Sequence, residues 1–233
     1  MSEELPSYQG LQSVGEASVD VRARFITRTY NHLFGAIVAF TAIEFLLFKS
    51  GVAYPMAKAM LGTSWLLVLG GFMLVSWGAT RVAHQSTSAS GQYLALGGYV
   101  VAQAILFVPL LVIAELNAPG AIPSAGLVTI LGFAGLTAVV FVTRKDFSFM
   151  GALLKWGGIC ALLAIVGGVV FGFELGTWFS VAMIAFAGAA ILYDTSNVLH
   201  HYPEDRYVAA SLQLFASVAL MFWYVLRLFL SRR

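Results

Sequence analysis

The sequence predicts an all-α protein that crosses a membrane seven times, and three observations lead to this prediction. Hydrophobic residues make up 60% of the chain and charged residues only 10%, and the mean hydropathy is +0.86. Soluble domains carry about 25% charged residues, so this chain has too few polar side chains to cover a water-exposed surface. The third observation is a series of apolar runs, each close to the ~20 residues that a membrane-spanning helix needs.

The apolar runs follow one another almost without interruption. They cover residues 26–48, 64–83, 92–114, 123–143, 149–172, 177–199 and 207–230. Residues 1–22 contain proline, glycine and serine without a sustained apolar period, which is typical of a flexible tail. We therefore divide the chain into a flexible cytoplasmic tail (1–22) and a single seven-helix transmembrane domain (23–233), and we expect no soluble catalytic domain. The start of the chain does not show the basic and apolar pattern of a cleaved signal peptide.

Lysine and arginine predict the orientation, because the cytoplasmic flanks of membrane helices carry an excess of both. With the N-terminus inside, eight of these residues fall on cytoplasmic flanks and five on outer flanks. We therefore expect a multi-pass protein of a bacterial inner membrane with a cytoplasmic N-terminus. Arg232 and Arg233 leave two alternatives for the last run: a full crossing puts them outside, and a re-entrant segment brings them inside.

The composition also argues against several classes of function. A net charge of +2, scattered along the chain, argues against nucleic-acid binding. Cys160 is the only cysteine, so neither an intramolecular disulfide nor a thiolate metal cluster is expected. The adjacent His200 and His201 point in different directions on a helix and are expected at the interface rather than on a metal. No serine within the runs has an identifiable histidine base, so no enzyme activity is expected.

The sixth apolar run, 177–199, contains an acidic residue, Asp194, before its end. A carboxylate in hydrocarbon costs up to ~3 kcal/mol, so it usually has a partner or a role. Two interpretations stay open: an interior acid with a function, or a helix-terminal acid that reaches the lipid headgroups. Arg81 is expected to anchor the topology, with a weaker alternative as the counter-charge of Asp194. Glu44 lies close to Lys49 at the end of the first run and is expected to snorkel to the outer interface.

The connection between the last two runs predicts which residues face Asp194. A turn near residue 204 folds the two runs against each other, and at a rise of ~1.5 Å per residue Asp194 then lies opposite Leu214. Gln213 and Ser217 are four residues apart and share one face of the last helix. We expect Gln213, Ser217 and Tyr224 to lie beside Asp194 and to satisfy its carboxylate without a second charge.

Three segments carry polar residues in a fixed order beside predicted helix ends. They are FITRTYNHLFGAIVAFTA (25–42), TRKDFSFMGALLKWG (143–157) and ILYDTSNVLHHYPEDRYVAASLQLF (191–215). They resemble the Bax inhibitor-1 family in its bacterial branch, and the resemblance covers nearly the whole chain. It implies a seven-helix bundle with the last helix near the centre. It also implies, in some members, a proton-sensitive calcium leak built on two facing aspartates, and bacterial members are linked to modulating a membrane-bound AAA protease.

The family pattern carries over only in part. Asp194 falls on the first aspartate of the pair, whereas Ser217 stands where the pattern has its second acid. Repulsion between two carboxylates underlies proton sensing in such a pair, so gating by pH is not expected here. We therefore predict a non-enzymatic modulator of a membrane-bound AAA protease or of stress survival, embedded in the lipid bilayer. The alternative is a calcium or cation leak along Asp194, Ser217 and Gln213, with calcium conducted or weakly bound and no other cofactor.

Overall fold

The structure is a computed structural model, and it describes residues 13–86 and 88–231. Within these ranges the chain forms helices joined by short connections. In chain order they are α1 (Val19–Lys49), α2 (Ala53–Leu61), α3 (Trp65–Gln85), α4 (Ala89–Asn117), α5 (Ala121–Thr143), α6 (Met150–Phe171), α7 (Thr177–His200) and α8 (Tyr207–Leu230). Among the described residues, seven helices are long and apolar enough to cross a membrane, namely all except α2. The predicted all-α architecture with seven spans is confirmed.

The short helix α2 lies in the connection between the first two spans, where the sequence predicts no helix. Ala53 and Ala57 are four residues apart and form its buried face, which packs with Val108 and Val112 of α4. Pro55 is compatible with this helix because it falls in the first turn, where its missing N–H has no intrahelical acceptor. The helix is only nine residues long, so length alone separates it from the membrane spans.

The last helix, α8, lies at the centre of the bundle, as the family resemblance implies. It packs against α1, α3, α4, α5 and α7, and 72% of its most apolar stretch is buried, against 6% for α6. Small side chains let neighbouring helices approach it closely. The small residues that are buried on α8 are Ala209, Ala210, Ser211, Ser217 and Ala219.

The ends of α1, α4 and α8 meet on one side of the bundle. The ring of His32 lies 5.4 Å from that of Tyr93 and 5.1 Å from that of Tyr207, and all three residues lie in the first half of their helices. Further along the same helices, the ring of Phe40 lies 5.2 Å from that of Phe107 and 6.1 Å from that of Phe215, so the three helices run in the same direction. Because α8 is a continuous helix of 24 residues, it matches the full-crossing alternative for the last run rather than the re-entrant one.

The segment before α1 is in contact with the connection between α7 and α8. Val14 is fully buried, and its backbone N–H donates to the carbonyl oxygen of Tyr202 at 2.9 Å. Arg22 donates from Nε to the carbonyl oxygen of Val14 at 3.1 Å. Val14 and Arg22 thus hold the start of the described chain on the bundle, while residues 1–12 of the predicted tail lie outside the described residues. The division at residue 22 stays a prediction.

Candidate functional site

Asp194 and Ser217 form a hydrogen-bonded pair between α7 and α8. The hydroxyl of Ser217 donates to Oδ2 of Asp194 at 2.5 Å. The exposed fractions of the two residues are only 3% and 5%. The helix-terminal alternative for Asp194 is therefore wrong, because its side chain points into the bundle and not to the headgroups. The register of the two helices follows from the short connection 201–206, as the sequence predicts.

The pair lies between two apolar clusters in the centre of the protein. On one side Val198 and Leu214 belong to a cluster built from α1, α3, α4, α7 and α8. On the other side Ile191 and Met221 belong to a cluster that also includes α5. Both clusters exclude water from the carboxyl group, and a charge in such surroundings is costly unless it is hydrogen-bonded. The serine hydroxyl is therefore the group that compensates the burial of Asp194.

The other residues predicted near Asp194 do not bond to it. Gln213 is partly buried, and among the described residues the only side-chain donor to Asp194 is Ser217. Tyr224 is buried, and its ring packs edge-on against Phe179 of α7 at 5.9 Å. Of the three predicted neighbours, the structure joins Ser217 alone to the acid. A functional role for any of these residues stays a prediction.

Arg81 is not paired with Asp194. Its Nε donates to Oε1 of Gln85 at 3.2 Å, and its guanidinium lies 5.3 Å from the ring centre of Trp77. Both partners are on α3 itself, and the side chain of Arg81 is exposed. The counter-charge alternative for Arg81 therefore has no support in the geometry.

A second polar cluster joins the connection 144–149 to the end of α7. Ser196 accepts a hydrogen bond from the backbone N–H of Phe147 at 2.8 Å and donates to Oδ1 of Asp146 at 3.3 Å. The other oxygen of Asp146 lies 2.9 Å from Nε2 of His201. The backbone N–H of Ser148 and the neighbouring histidine lower the pKa of Asp146 to about 2. This contact explains the position of His201, which the sequence places only at the interface.

The sequence does not predict this cluster, although both of its parts lie in the segments that resemble the family. Asp146 belongs to TRKDFSFMG, and Ser196 follows Asp194 in LYDTSN. Their recurrence in a fixed order is a signal that the two segments interact. Nothing in the order of residues indicates which side chains meet across 50 positions.

Glu44 is a second buried acid, and its expected snorkelling to the interface is wrong. Its exposed fraction is 7%, and within the described part of the chain neither carboxyl oxygen has a hydrogen-bond partner. The reason is helical spacing: Glu44 continues the buried stripe of Thr29, Leu33 and Ala36 on α1. The side chain therefore points toward the bundle although it lies near the end of the span.

These features define the class of protein to which the chain belongs. It is a polytopic all-α membrane protein in which the central helix α8 places the hydroxyl of Ser217 beside the buried carboxyl of Asp194. The family model described as "inhibitor of apoptosis-promoting Bax1" matches residues 22–233. The chain therefore belongs to the Bax inhibitor-1 family, and the resemblance seen in the sequence is confirmed.

Relatives of the chain include proteins of bacteria, of Schizosaccharomyces pombe and of a virus. An uncharacterized protein of Pseudomonas aeruginosa, PA2604, is 34% identical over 116 residues, which are 48% of this chain and 51% of that protein. The "Modulator of FtsH protease YccA" of Escherichia coli (strain K12) is 34% identical over 95 residues, or 40% and 43% of the two chains. The "Golgi anti-apoptotic protein" of Vaccinia virus (strain Lister) is 25% identical over 224 residues, or 93% and 89%. The similarity thus spans about half or less of the length of the two bacterial relatives.

Proposed function

We propose that this chain is a non-enzymatic modulator of a membrane-bound AAA protease in a bacterial inner membrane. The observation that carries the proposal is the similarity to YccA, a relative whose name describes it as a modulator of FtsH protease. The relative from Escherichia coli O6:H1 is named "Inner membrane protein YccA". This name supports a location in the inner membrane. The family match covers residues 22–233, so nearly the whole chain belongs to one family.

The distribution of mass in the protein supports contact through the membrane. The connections between the spans are short, so the helices offer most of the surface that a membrane-bound partner could touch. Among the helices of the described residues, α6 packs only against α3 and α7. Its outward side chains include Leu153, Trp156 and Leu163, each more than 60% exposed. This face of α6 is suited to the apolar membrane helices of a partner; the N-terminal segment is the alternative contact.

Reconstitution tests the proposal directly. Vesicles containing a membrane-bound AAA protease and a membrane protein substrate are prepared with this chain or with an unrelated multi-span protein at equal density. We expect slower substrate loss only with this chain. Equal rates in the two preparations would contradict the proposal, as would crosslinking in native membranes that recovers no protease subunit.

The α6 contact has its own matched pair of variants. Trp156→Ala changes a tryptophan on α6 that is 69% exposed. The matched control, Trp77→Ala, changes a tryptophan on α3 that is 63% exposed. If α6 makes the contact, the first variant loses crosslinking to the protease and the second keeps it. Retention by both variants would favour the N-terminal segment instead.

A cation leak is the second candidate, and the buried carboxyl of Asp194 is the observation that favours it. Buried acids in membrane helices mark ion pathways in many proteins. The neutral partner Ser217 argues against pH gating by a pair of carboxylates. The test is calcium entry into vesicles containing the protein or its Asp194→Asn variant. A leak along this path predicts that the variant lowers entry, whereas entry at the level of empty vesicles for both proteins would exclude it.

A further inference from the structure

A groove runs along the outside of the bundle between α1 and α4, apart from the Asp194–Ser217 pair. Its volume is about 590 Å³, within the range of roughly 300–1,000 Å³ that is typical of ligand sites. Exposed small and apolar side chains line it on the side that contacts lipid. They include Gly35 and Ala39 of α1 with Gly97 and Val101 of α4, and the half-buried Ile43 lies at the far end.

The two glycines do not serve close packing of α1 against α4. A Cβ atom added at Gly35 or at Gly97 would meet no heavy atom within 4 Å. Where glycine brings membrane helices together, the partner helix fills that space. Here the space stays open within the protein, so in a bilayer a group from outside the chain has to fill it.

One end of the groove is polar, at His32 and Tyr93, and a basic residue lies just beyond it. Nε2 of His32 lies 3.1 Å from the hydroxyl of Tyr93, which is 3.3 Å from the hydroxyl of Tyr207. The guanidinium of Arg28 lies 5.4 Å from the ring centre of Tyr207, one helical turn before His32. Within residues 13–86 and 88–231 no carboxylate forms a salt bridge with Arg28, and its side chain is exposed. This end therefore suits an anionic group at the depth where aromatic residues meet lipid headgroups.

The dimensions of the groove match half of a bilayer. From His32 to Ile43 the rise along α1 is about 16 Å, and half of the hydrocarbon core is about 15 Å. The groove is therefore about as long as an acyl chain that fills half of the core; its polar end lies on the side of the N-terminal end of α1, and its apolar end lies beside Glu44. A single acyl chain has this length and this polarity pattern.

We propose that the groove binds one acyl chain of an anionic glycerophospholipid, with its phosphate at Arg28, in the leaflet that holds the N-terminal end of α1. The small side chains give the acyl chain its space, and the tyrosine and histidine rings hold the glycerol region. Arg28 supplies the preference for an anionic headgroup. This site goes beyond the modulation of a protease and does not depend on it.

Native mass spectrometry of the full chain in detergent tests the site with two probes, phosphatidylglycerol and phosphatidylcholine with the same acyl chains. Gly97→Leu fills the groove, and its matched control is Gly71→Leu on α3, where an added Cβ also meets nothing within 4 Å. Arg28→Gln removes the basic end, and its control is Lys155→Gln, an exposed residue on α6.

Each variant has a distinct expected result. The unchanged protein retains phosphatidylglycerol about fivefold better than phosphatidylcholine, the effect of one basic side chain at an anionic surface. Gly97→Leu loses both lipids, Arg28→Gln binds both equally, and the two controls behave like the unchanged protein. If Gly97→Leu fails to fold, as judged by gel filtration, Gly35→Leu takes its place.

Three outcomes would overturn the proposal. The first is equal lipid retention by Gly97→Leu and Gly71→Leu, since the groove then holds no lipid. The second is the same retention of the two lipids by the unchanged protein, since Arg28 then selects no headgroup. The third is a result in which Gly97→Leu retains both lipids but no longer binds a second protein or a second copy of this chain. The groove would then be a protein contact.

Discussion

The hydrogen bond between Ser217 and Asp194 gives a prediction for the Ser217→Ala variant. The substitution removes the hydroxyl that donates to Asp194 at 2.5 Å and changes little else, because alanine is nearly as small as serine. It leaves the carboxyl of Asp194 buried, with an exposed fraction of 3%, and without its side-chain donor. The variant should therefore be less stable than the unchanged protein.

Two estimates bracket the size of the effect. Hydrogen bonds between membrane helices average about 0.6 kcal/mol, with a maximum near 1.7. A buried acceptor that loses its donor costs about 1–3 kcal/mol, with the higher values for charged groups. Because this acceptor is a carboxyl between two apolar clusters, we expect a loss of about 2 kcal/mol in the free energy of unfolding.

Unfolding in detergent micelles measures this loss, and Ser211→Ala is a matched control. Ser211 is also buried on α8, but its hydroxyl donates to the carbonyl oxygen of Val208 in the same helix at 2.7 Å. Because that carbonyl can keep its backbone partner, the control should cost only about 0.5 kcal/mol or less. A double-mutant cycle of Ser217→Ala with Asp194→Ala should then give a coupling energy of about 1–2 kcal/mol.

Two results would contradict a stabilising role for Ser217. Equal losses for Ser217→Ala and Ser211→Ala would show that the hydroxyl of Ser217 contributes nothing specific. A coupling energy near zero with Asp194→Ala would show that the two side chains do not stabilise each other. Either result would remove the serine as the group that compensates the buried acid.

Two further predictions concern the other acids. Glu44→Leu should raise the free energy of unfolding by about 1–3 kcal/mol, because it replaces a buried carboxyl without a hydrogen-bond partner by an apolar side chain of similar volume; an unchanged unfolding midpoint would mean that this carboxyl reaches water. Asp146 has a pKa of about 2 in the folded protein, below its ordinary value of about 3.9, so its stabilising effect is present above pH 4 and is lost as the pH falls to 2. The difference in melting temperature between the unchanged protein and Asp146→Asn should therefore shrink over that interval, and a constant difference would contradict the assignment.

The spans could be predicted from the sequence because length and hydropathy alone define them. The position of Ser217 opposite Asp194 was also within reach, since the turn between α7 and α8 is short and the rise of a helix is fixed. The sequence does not predict helix α2, because it has only nine residues and these include Pro55 and Lys58. Its hydrophobic signal is weak compared with apolar runs of about twenty residues. Its buried face consists of two alanines, which carry a weak periodic signal.

Side-chain direction and contacts between distant segments were not within reach. Glu44 and Lys49 form a plausible interfacial pair by position, yet the helix turns the acid inward along the stripe of α1. Asp146 meets Ser196 and His201 only because the connection after α5 folds back on the end of α7. Such contacts depend on how whole helices pack, and the order of residues does not specify that packing.

The central place of α8 has a consequence for biosynthesis. The ribosome makes this helix after the seven that precede it, yet α1, α3, α4, α5 and α7 all pack against it. A nascent chain that has not yet reached Tyr207 holds its spans without the helix that their inner faces contact. Assembly of the bundle therefore finishes only when the final span enters the membrane, and until then the earlier spans depend on lipid or on insertion factors for cover.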